Sequence, residues 1–282
     1  MDRLKAIVPS VVWRAARRSS AYSNRLRTWI QVLREVRGVS REDQRQITTA
    51  FCRSPLVSFR DLDNWQNPEL LKHAQVEVRG IGRFHARAQS DDLYHVLPSR
   101  EPEVIATLQR YLTKGSVFVD AGANIGFFTV FGSKLVGSTG TVVAAEMMSD
   151  TAAILRRHVE ENGCLNVTII EAAVSDTAGC DAKAHVIDGK FGMASIVSGS
   201  GRTVIVRTST LDEILRDIPR VDLLKMDLEG AELLAIHGAE DSLKKIGVIV
   251  FEELDGSRVS EILKSKGYCI TELSAHTRLA VR

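Results

Sequence analysis

Cysteine is scarce in this chain. The four cysteines among 282 residues (Cys52, Cys164, Cys180 and Cys269) stand far apart, with no CxxC pair and no Cys/His cluster. That spacing offers neither a disulfide framework nor a structural zinc site, and a reducing cytoplasm is the expected setting. Long hydrophobic runs are missing too. The apolar stretches are only a few residues long, whereas a membrane-crossing helix needs about 20 residues, so no transmembrane segment is expected. The early apolar segment Ile7 to Trp13 is interrupted by Pro9 and followed by Arg14, Arg17 and Arg18. That pattern is not a secretory core, and no cleaved signal is expected.

What is present is an ordinary globular composition, 44% hydrophobic and 26% charged, with a net charge of +2. The net figure hides an asymmetry: the first 60 residues carry 13 basic and 4 acidic side chains, the remainder 24 and 31. In the basic head Trp29, Ile30, Val32, Leu33 and Val36 recur at helical spacing among Arg27, Arg34 and Arg37, which predicts amphipathic helix. Such a helix suits an anionic lipid surface or nucleic acid, giving peripheral membrane contact. The plainer alternative, a helical cap on the domain with solvated arginines, is favoured. Aromatic residues are too sparse to argue for RNA, and no nucleic-acid partner is expected. The chain is therefore divided into a mainly helical extension, 1–70, and a domain over 71–282; the oligomeric state is not legible.

From Gln75 to Leu97 apolar residues alternate around Gly80 and Gly82, which predicts a β-hairpin or small meander. Glu103 to Leu112 reads as a helix. From residue 116 onward strand and helix signals alternate: strands at Ser116–Asp120, Thr141–Glu146, Val167–Ile170, Leu223–Met226 and Ile246–Phe251, helices at Ile125–Leu135, Thr151–Asn162 and Ala231–Ile236. Short apolar strands separated by helices predict an α/β, doubly wound, mostly parallel sheet covered on both faces. Tyr268 to Leu273 and Thr277 to Val281 predict an antiparallel hairpin at its edge.

The segment Val117 to Gly126 (VFVDAGANIG) puts an acid, Asp120, at a strand end, then a glycine turn, then a helix. Ligands of doubly wound folds bind at the carboxyl ends of strands. Dinucleotide sites want G-x-G-x-x-G against a pyrophosphate, whereas this turn is G-x-x-x-G with a carboxylate upstream. An anion there suits a cationic ligand, and S-adenosylmethionine carries a sulfonium and an ammonium. Glu146, ending the second strand, can accept hydrogen bonds from both ribose hydroxyls. At the third strand end stands Ala173, so a backbone group or Asp176 must serve the adenine amino group; Asp176 is equally readable as a turn residue.

At the fourth strand end, Lys225, Asp227, Glu229 and Glu232 crowd into eight residues. Lys225 and Asp227 share a strand face and can pair. Asp227 or Glu229 is expected to meet an acceptor as a base. Glu252 and Glu253 add acid to the same rim, but no His/Asp signature supports a cation, and no metal is expected. In the insertion Ala184 to Val206, Phe191 and Ser195 are expected either to face substrate or to belong to a plain surface hairpin.

Together VFVDAGANIGFFTV, AAE, NVTIIEAAVSD, TSTLDEIL and DLLKMDLEGAELLAIHGAEDSL, in this order over about residues 90 to 255, resemble the FkbM family of S-adenosylmethionine-dependent methyltransferases. The resemblance implies a class I methyltransferase fold and methylation of hydroxyl groups on sugars, glycolipids, polyketides or related compounds. It implies a methionine-binding turn from Asp120, Gly122, Ala123, Asn124 and Gly126, a ribose acid at Glu146, and an adenine site flanked by Met147, Ala173, Val174 and Asp176. Lys225, Asp227, Glu229 and Glu232 match the K-x-D-x-E-G-x-E signature. One departure is Met147-Met148 where the family often has a proline, which alters the adenine wall. Competing readings are an N-methyltransferase and a non-catalytic binding module with a basic head.

Overall fold

A computed structural model describes residues 10–58, 68–187, 189–197, 199, 201–254 and 256–282. Ile7, Val8 and Pro9 of the first apolar segment, and Asp188 of the insertion, lie outside the described residues.

The basic head folds into helix α1 (Ser10–Glu35), strand β1 (Val36–Gly38) and helix α2 (Arg41–Ser58). Ser40 and Asp43 cap α2 reciprocally: the Asp43 N–H donates to Ser40 Oγ at 3.1 Å, and the Ser40 N–H to Asp43 Oδ2 at 2.9 Å. β1 joins the hairpin of β2 (Ala74–Val78) and β3 (Gly82–Ala86) as the third strand of a small antiparallel sheet. Trp29, Val32 and Val36 pack with Phe84, Phe118 and Phe127 in one core cluster. The division near residue 70 is therefore one of composition; in space the two segments share a core.

The strand expected over Leu93–Leu97 is instead a short helix, α3 (Asp92–His95), followed by a 3-10 turn at Pro98–Arg100. Leu93, Val96 and Leu97 are all buried at spacings of three and four, a helical period. Asp92 fixes the turn by accepting the Arg87 N–H at 2.9 Å and the Arg87 guanidinium at 2.7 Å. Helix α4 (Pro102–Tyr111) follows with proline in its first turn.

The remaining elements are β4 (Val117–Ala121), α5 (Phe127–Val136), β5 (Thr141–Ala145), α6 (Ser149–Glu161), β6 (Val167–Ile170), β7 (Ala173–Val174), β8 (Asp181–Ile187), β9 (Lys190–Ser195), β10 (Arg202–Ser209), α7 (Leu211–Ile214), β11 (Val221–Met226), α8 (Glu232–His237), β12 (Ile246–Glu252), α9 (Val259–Ser265), β13 (Cys269–Glu272) and β14 (Thr277–Val281). The main sheet has seven strands in the order β13-β14-β12-β11-β4-β5-β6. β4, β5, β6, β11 and β12 pair in parallel, and β14 runs antiparallel to both β12 and β13. The expected doubly wound sheet and its antiparallel edge hairpin are both present. The insertion builds a second sheet of four strands, β7-β10-β8-β9, whose Ala184, Val186, Ala194 and Val206 pack with Met148 and Ala173. Among the described residues no helix is long and apolar enough to cross a membrane.

Chain order leaves β4 in opposite directions, toward β5 on one side and β11 on the other. A crevice must open at the carboxyl ends of such strands. It lies between the glycine turn after β4 and the charged end of β11.

Candidate functional site

The turn after β4 is held in left-handed backbone at Gly122 (φ +81°), Asn124 (φ +49°) and Gly126 (φ +91°). A Cβ at Gly122 would stand 1.9 Å from the Asp227 carbonyl oxygen, so only glycine lets the turn lie on the end of β11. Gly126 serves packing instead of ligand approach: a Cβ there would meet Leu155 of α6 at 2.3 Å. It does not line the cavity.

His158 of α6 pins the turn from behind. Its Nε2 accepts the His85 N–H at 2.6 Å, so its Nδ1–H donates to the Ile125 carbonyl, also at 2.6 Å. Burial holds this imidazole neutral, pushing its pKa down to about 4. Glu146 ties the turn to the end of β5, its Oε2 accepting the Asn124 N–H at 2.9 Å and its Oε1 the Met148 N–H at 2.8 Å. Burial pushes Glu146 up to about 7 against those two amides.

A cavity opens over this turn. Of the residues singled out from sequence, Gly122, Ala123, Asn124, Glu146, Met147, Ala173, Val174, Lys225, Asp227 and Glu229 line it. Asp120 does not. Sheet register places it beside Lys225, and its fully buried carboxylate accepts the Thr129 hydroxyl at 2.7 Å and pairs with Lys225 Nζ at 3.5 Å. Asp120 is thereby the counter-ion of Lys225. Asp176 is exposed and accepts the Ser175 and Thr177 hydroxyls at 3.2 Å each, a turn residue away from the cavity. Glu232 is buried below the loop, where its Oε1 accepts the Leu228 N–H at 2.7 Å, and it too stays off the cavity wall.

Lys225 bridges two carboxylates, with Nζ 3.4 Å from Asp227 Oδ2, and sits 5.1 Å from the centre of the Phe128 ring. Burial alone would lower the lysine; Asp227 and Asp120 outweigh it and hold the ammonium above its ordinary range. Burial would likewise raise Asp227, but Lys225 and Arg100 hold it below the usual carboxylate range. Glu229 differs. Burial, then the Asp227 and Glu252 charges, push it up to about 8, and its backbone is left-handed at φ +52°. Burial also raises Glu232, to about 7.

A second cavity shares Arg100, Lys225, Asp227 and Glu229 with the first. Beyond this common wall it is lined by Tyr94, Glu101, Glu252, His276 and Thr277, among others. Glu253 turns away, accepting the Ser260 N–H at 2.8 Å and pairing with Arg278 at 3.6 Å. Among the described residues no group of three or more His, Cys, Asp and Glu side chains is arranged to hold a metal ion.

Sequence reading missed His95 and Arg100, which both line the first cavity. His95 Nε2 lies 3.1 Å from Asp91 Oδ2, and Arg100 pairs with Glu101 at 2.8 Å. The helical spacing of Leu93, Val96 and Leu97 was the available signal, since it puts His95 on a helix facing the turn. Ser195 is not on the cavity wall; its hydroxyl donates to the Glu229 carbonyl at 2.8 Å, which moors the second sheet to the loop after β11. The Phe191 side chain lies outside what is described.

A seven-stranded sheet with one reversed strand, and a glycine-turn cavity at its switch point, form the class I methyltransferase fold. The model of the family described as the methyltransferase FkbM domain matches residues 120–270, more than half of the chain, and the chain belongs to that family. It is 27% identical over 183 residues to "Methyltransferase 1" of Beauveria bassiana, covering 55% of this chain and 73% of that relative. Among solved structures, methyltransferase FkbM from Methylobacillus flagellatus is similar over 68% of this chain and 54% of that one, with 19% identity and a TM-score of 0.42. Precorrin-6y C5,15-methyltransferase from Geobacter metallireducens is similar over 64% and 89%, with 16% identity and a TM-score of 0.43.

Proposed function

We propose that this methyltransferase uses S-adenosylmethionine to methylate a hydroxyl group of a sugar, glycolipid or polyketide-type acceptor. The observation that carries the reading is the wall of Arg100, Lys225, Asp227 and Glu229 shared by two cavities, which gives cofactor and acceptor separate rooms with acid and base between them.

The residues of the first cavity fit the cofactor. Asn124 Oδ1 is buried with no hydrogen-bond partner, so a ligand ammonium would satisfy it. Glu146, with each oxygen engaged by one backbone amide, keeps lone pairs for the ribose diol. Met147, Ala173 and Val174 offer an apolar slot for adenine. When bound, S-adenosylmethionine supplies an electrophilic methyl on a cationic sulfur.

Glu229 is the better proton acceptor. Asp227, held in the charged form by Lys225, is a weak base that fixes negative charge at the wall, whereas burial and the neighbouring carboxylates push Glu229 up to about 8, which makes it the stronger base once deprotonated. Arg100 faces both rooms and can orient an acceptor oxygen. An amine acceptor needs no such base, so a raised carboxylate between the cavities favours a hydroxyl. Incubation with labelled S-adenosylmethionine and a panel of hydroxylated sugars, lipids and amines tests this. Label in an O-methyl product supports the reading; label only in N-methyl products overturns the hydroxyl assignment.

A further inference from the structure

We propose that helix α1 docks this methyltransferase on an anionic lipid surface. The helix carries two apolar stripes. Trp29 and Val32 of the inner stripe are buried against the domain, whereas Ile30 and Leu33 of the same sequence pattern are exposed. Beside it Tyr22, Leu26, Ile30 and Leu33 form a second stripe, each between 38% and 43% exposed. At about 100° per residue these four fall within an arc of about 80°, a continuous ridge and not scattered surface residues.

Arg27 and Arg34, both exposed, border the ridge about one side-chain width farther round the helix, and among the described residues neither has an acidic partner. The single acid of the helix, Glu35, is turned away from the ridge to accept the Ser99 N–H at 3.2 Å and the Ser99 hydroxyl at 3.0 Å. The surface therefore offers hydrocarbon and unneutralised positive charge side by side, which is what an interface of acyl chains and anionic headgroups takes. Nucleic acid would answer the arginines and leave the ridge in water. A second copy meeting ridge to ridge would set arginine against arginine. The tether also matters: Ser99 directly precedes Arg100, which walls both cavities, so the docked helix is fastened to the edge of the site.

The experiment is co-sedimentation of the full chain with vesicles of phosphatidylcholine, with or without phosphatidylglycerol. The full chain is expected to partition onto the anionic vesicles only, and to be released by salt. Leu26→Asp with Leu33→Asp, and separately Arg27→Gln with Arg34→Gln, should each weaken partitioning by about tenfold or more. All four positions are exposed, so the thermal midpoint should match the parent chain, and the arginine variant keeps the test open if the leucine variant is unstable. Absence of partitioning by the parent chain, or parent-like partitioning by both variants, overturns the proposal. So does a parent dimer that the leucine variant dissociates without any change in vesicle binding, which would assign the ridge to a second copy.

Discussion

Gly122 and Asp227 touch backbone to backbone, although more than a hundred residues separate them: a Cβ on Gly122 would lie 1.9 Å from the Asp227 carbonyl oxygen. Through this contact the turn that floors the first cavity also sets the height of the charged wall between the two cavities. Gly122→Ala should therefore damage both. The left-handed φ of +81° costs an L residue about 1 to 3 kcal/mol, and the collision with Asp227 adds to it. Denaturant unfolding should show at least that loss, with a fall in S-adenosylmethionine affinity of about tenfold or more. Wild-type stability would mean that the turn can move away freely.

Lys225 has two counter-ions, Asp120 at 3.5 Å and Asp227 at 3.4 Å, so the two ends of the pairing should respond differently to substitution. Asp227→Asn leaves the Lys225–Asp120 pair intact. The fold should survive and turnover should fall less than in Glu229→Gln, which removes the proton acceptor and should lose roughly 10². Lys225→Met strands the fully buried Asp120 and should cost about 3 to 5 kcal/mol in thermal or chemical unfolding.

Stability should depend on pH with a defined sign. Glu229, raised from 4.5 to about 8 in the folded chain, contributes stability that is lost as pH rises through 8, and Glu146 and Glu232, raised to about 7, act in the same direction. His158, lowered from 6.5 to about 4, contributes stability that is lost as pH falls through that window. Three carboxylates outweigh the one histidine, so the thermal midpoint of the ligand-free chain should fall between about pH 4.5 and about pH 8, and Glu229→Gln should flatten the upper part of that fall. A midpoint that rises over this range would contradict the assignment.

His95 is the partner of a buried acid: Asp91 is 3% exposed and its Oδ1 has no hydrogen-bond partner. His95→Ala should remove the hydrogen bond to Oδ2 and destabilise the chain by about 1 to 3 kcal/mol. Because His95 lines the first cavity, calorimetry should also show weaker cofactor binding. Unchanged stability and binding would remove His95 from the site.

Local pattern made much of the site readable. Strand, turn and helix follow one another without a break around Gly122 and Asn124, and Glu146 closes the next strand, so all three could be placed from spacing alone. Lys225 and Asp227 share a face because strands alternate, and they do pair. What could not be read depends on register between distant strands. Asp120 ends beside Lys225 because β4 pairs with β11, and no local period carries that fact. Gly126 packs on Leu155 of another helix, a contact no local spacing carries. His95 and Arg100 were hidden because the alternation of residues 75–86 was carried on into 93–97, where buried residues recur every three or four positions and the chain is helical.

Calorimetric titration with S-adenosylmethionine, with NAD as the control, tests the central claim most directly. One saturable site for S-adenosylmethionine and none for NAD is the predicted result, with Glu146→Ala weakening binding by about 1 to 3 kcal/mol, the range for losing charged hydrogen bonds. Absence of S-adenosylmethionine binding by the parent chain, or undiminished affinity in Glu146→Ala, would contradict the account.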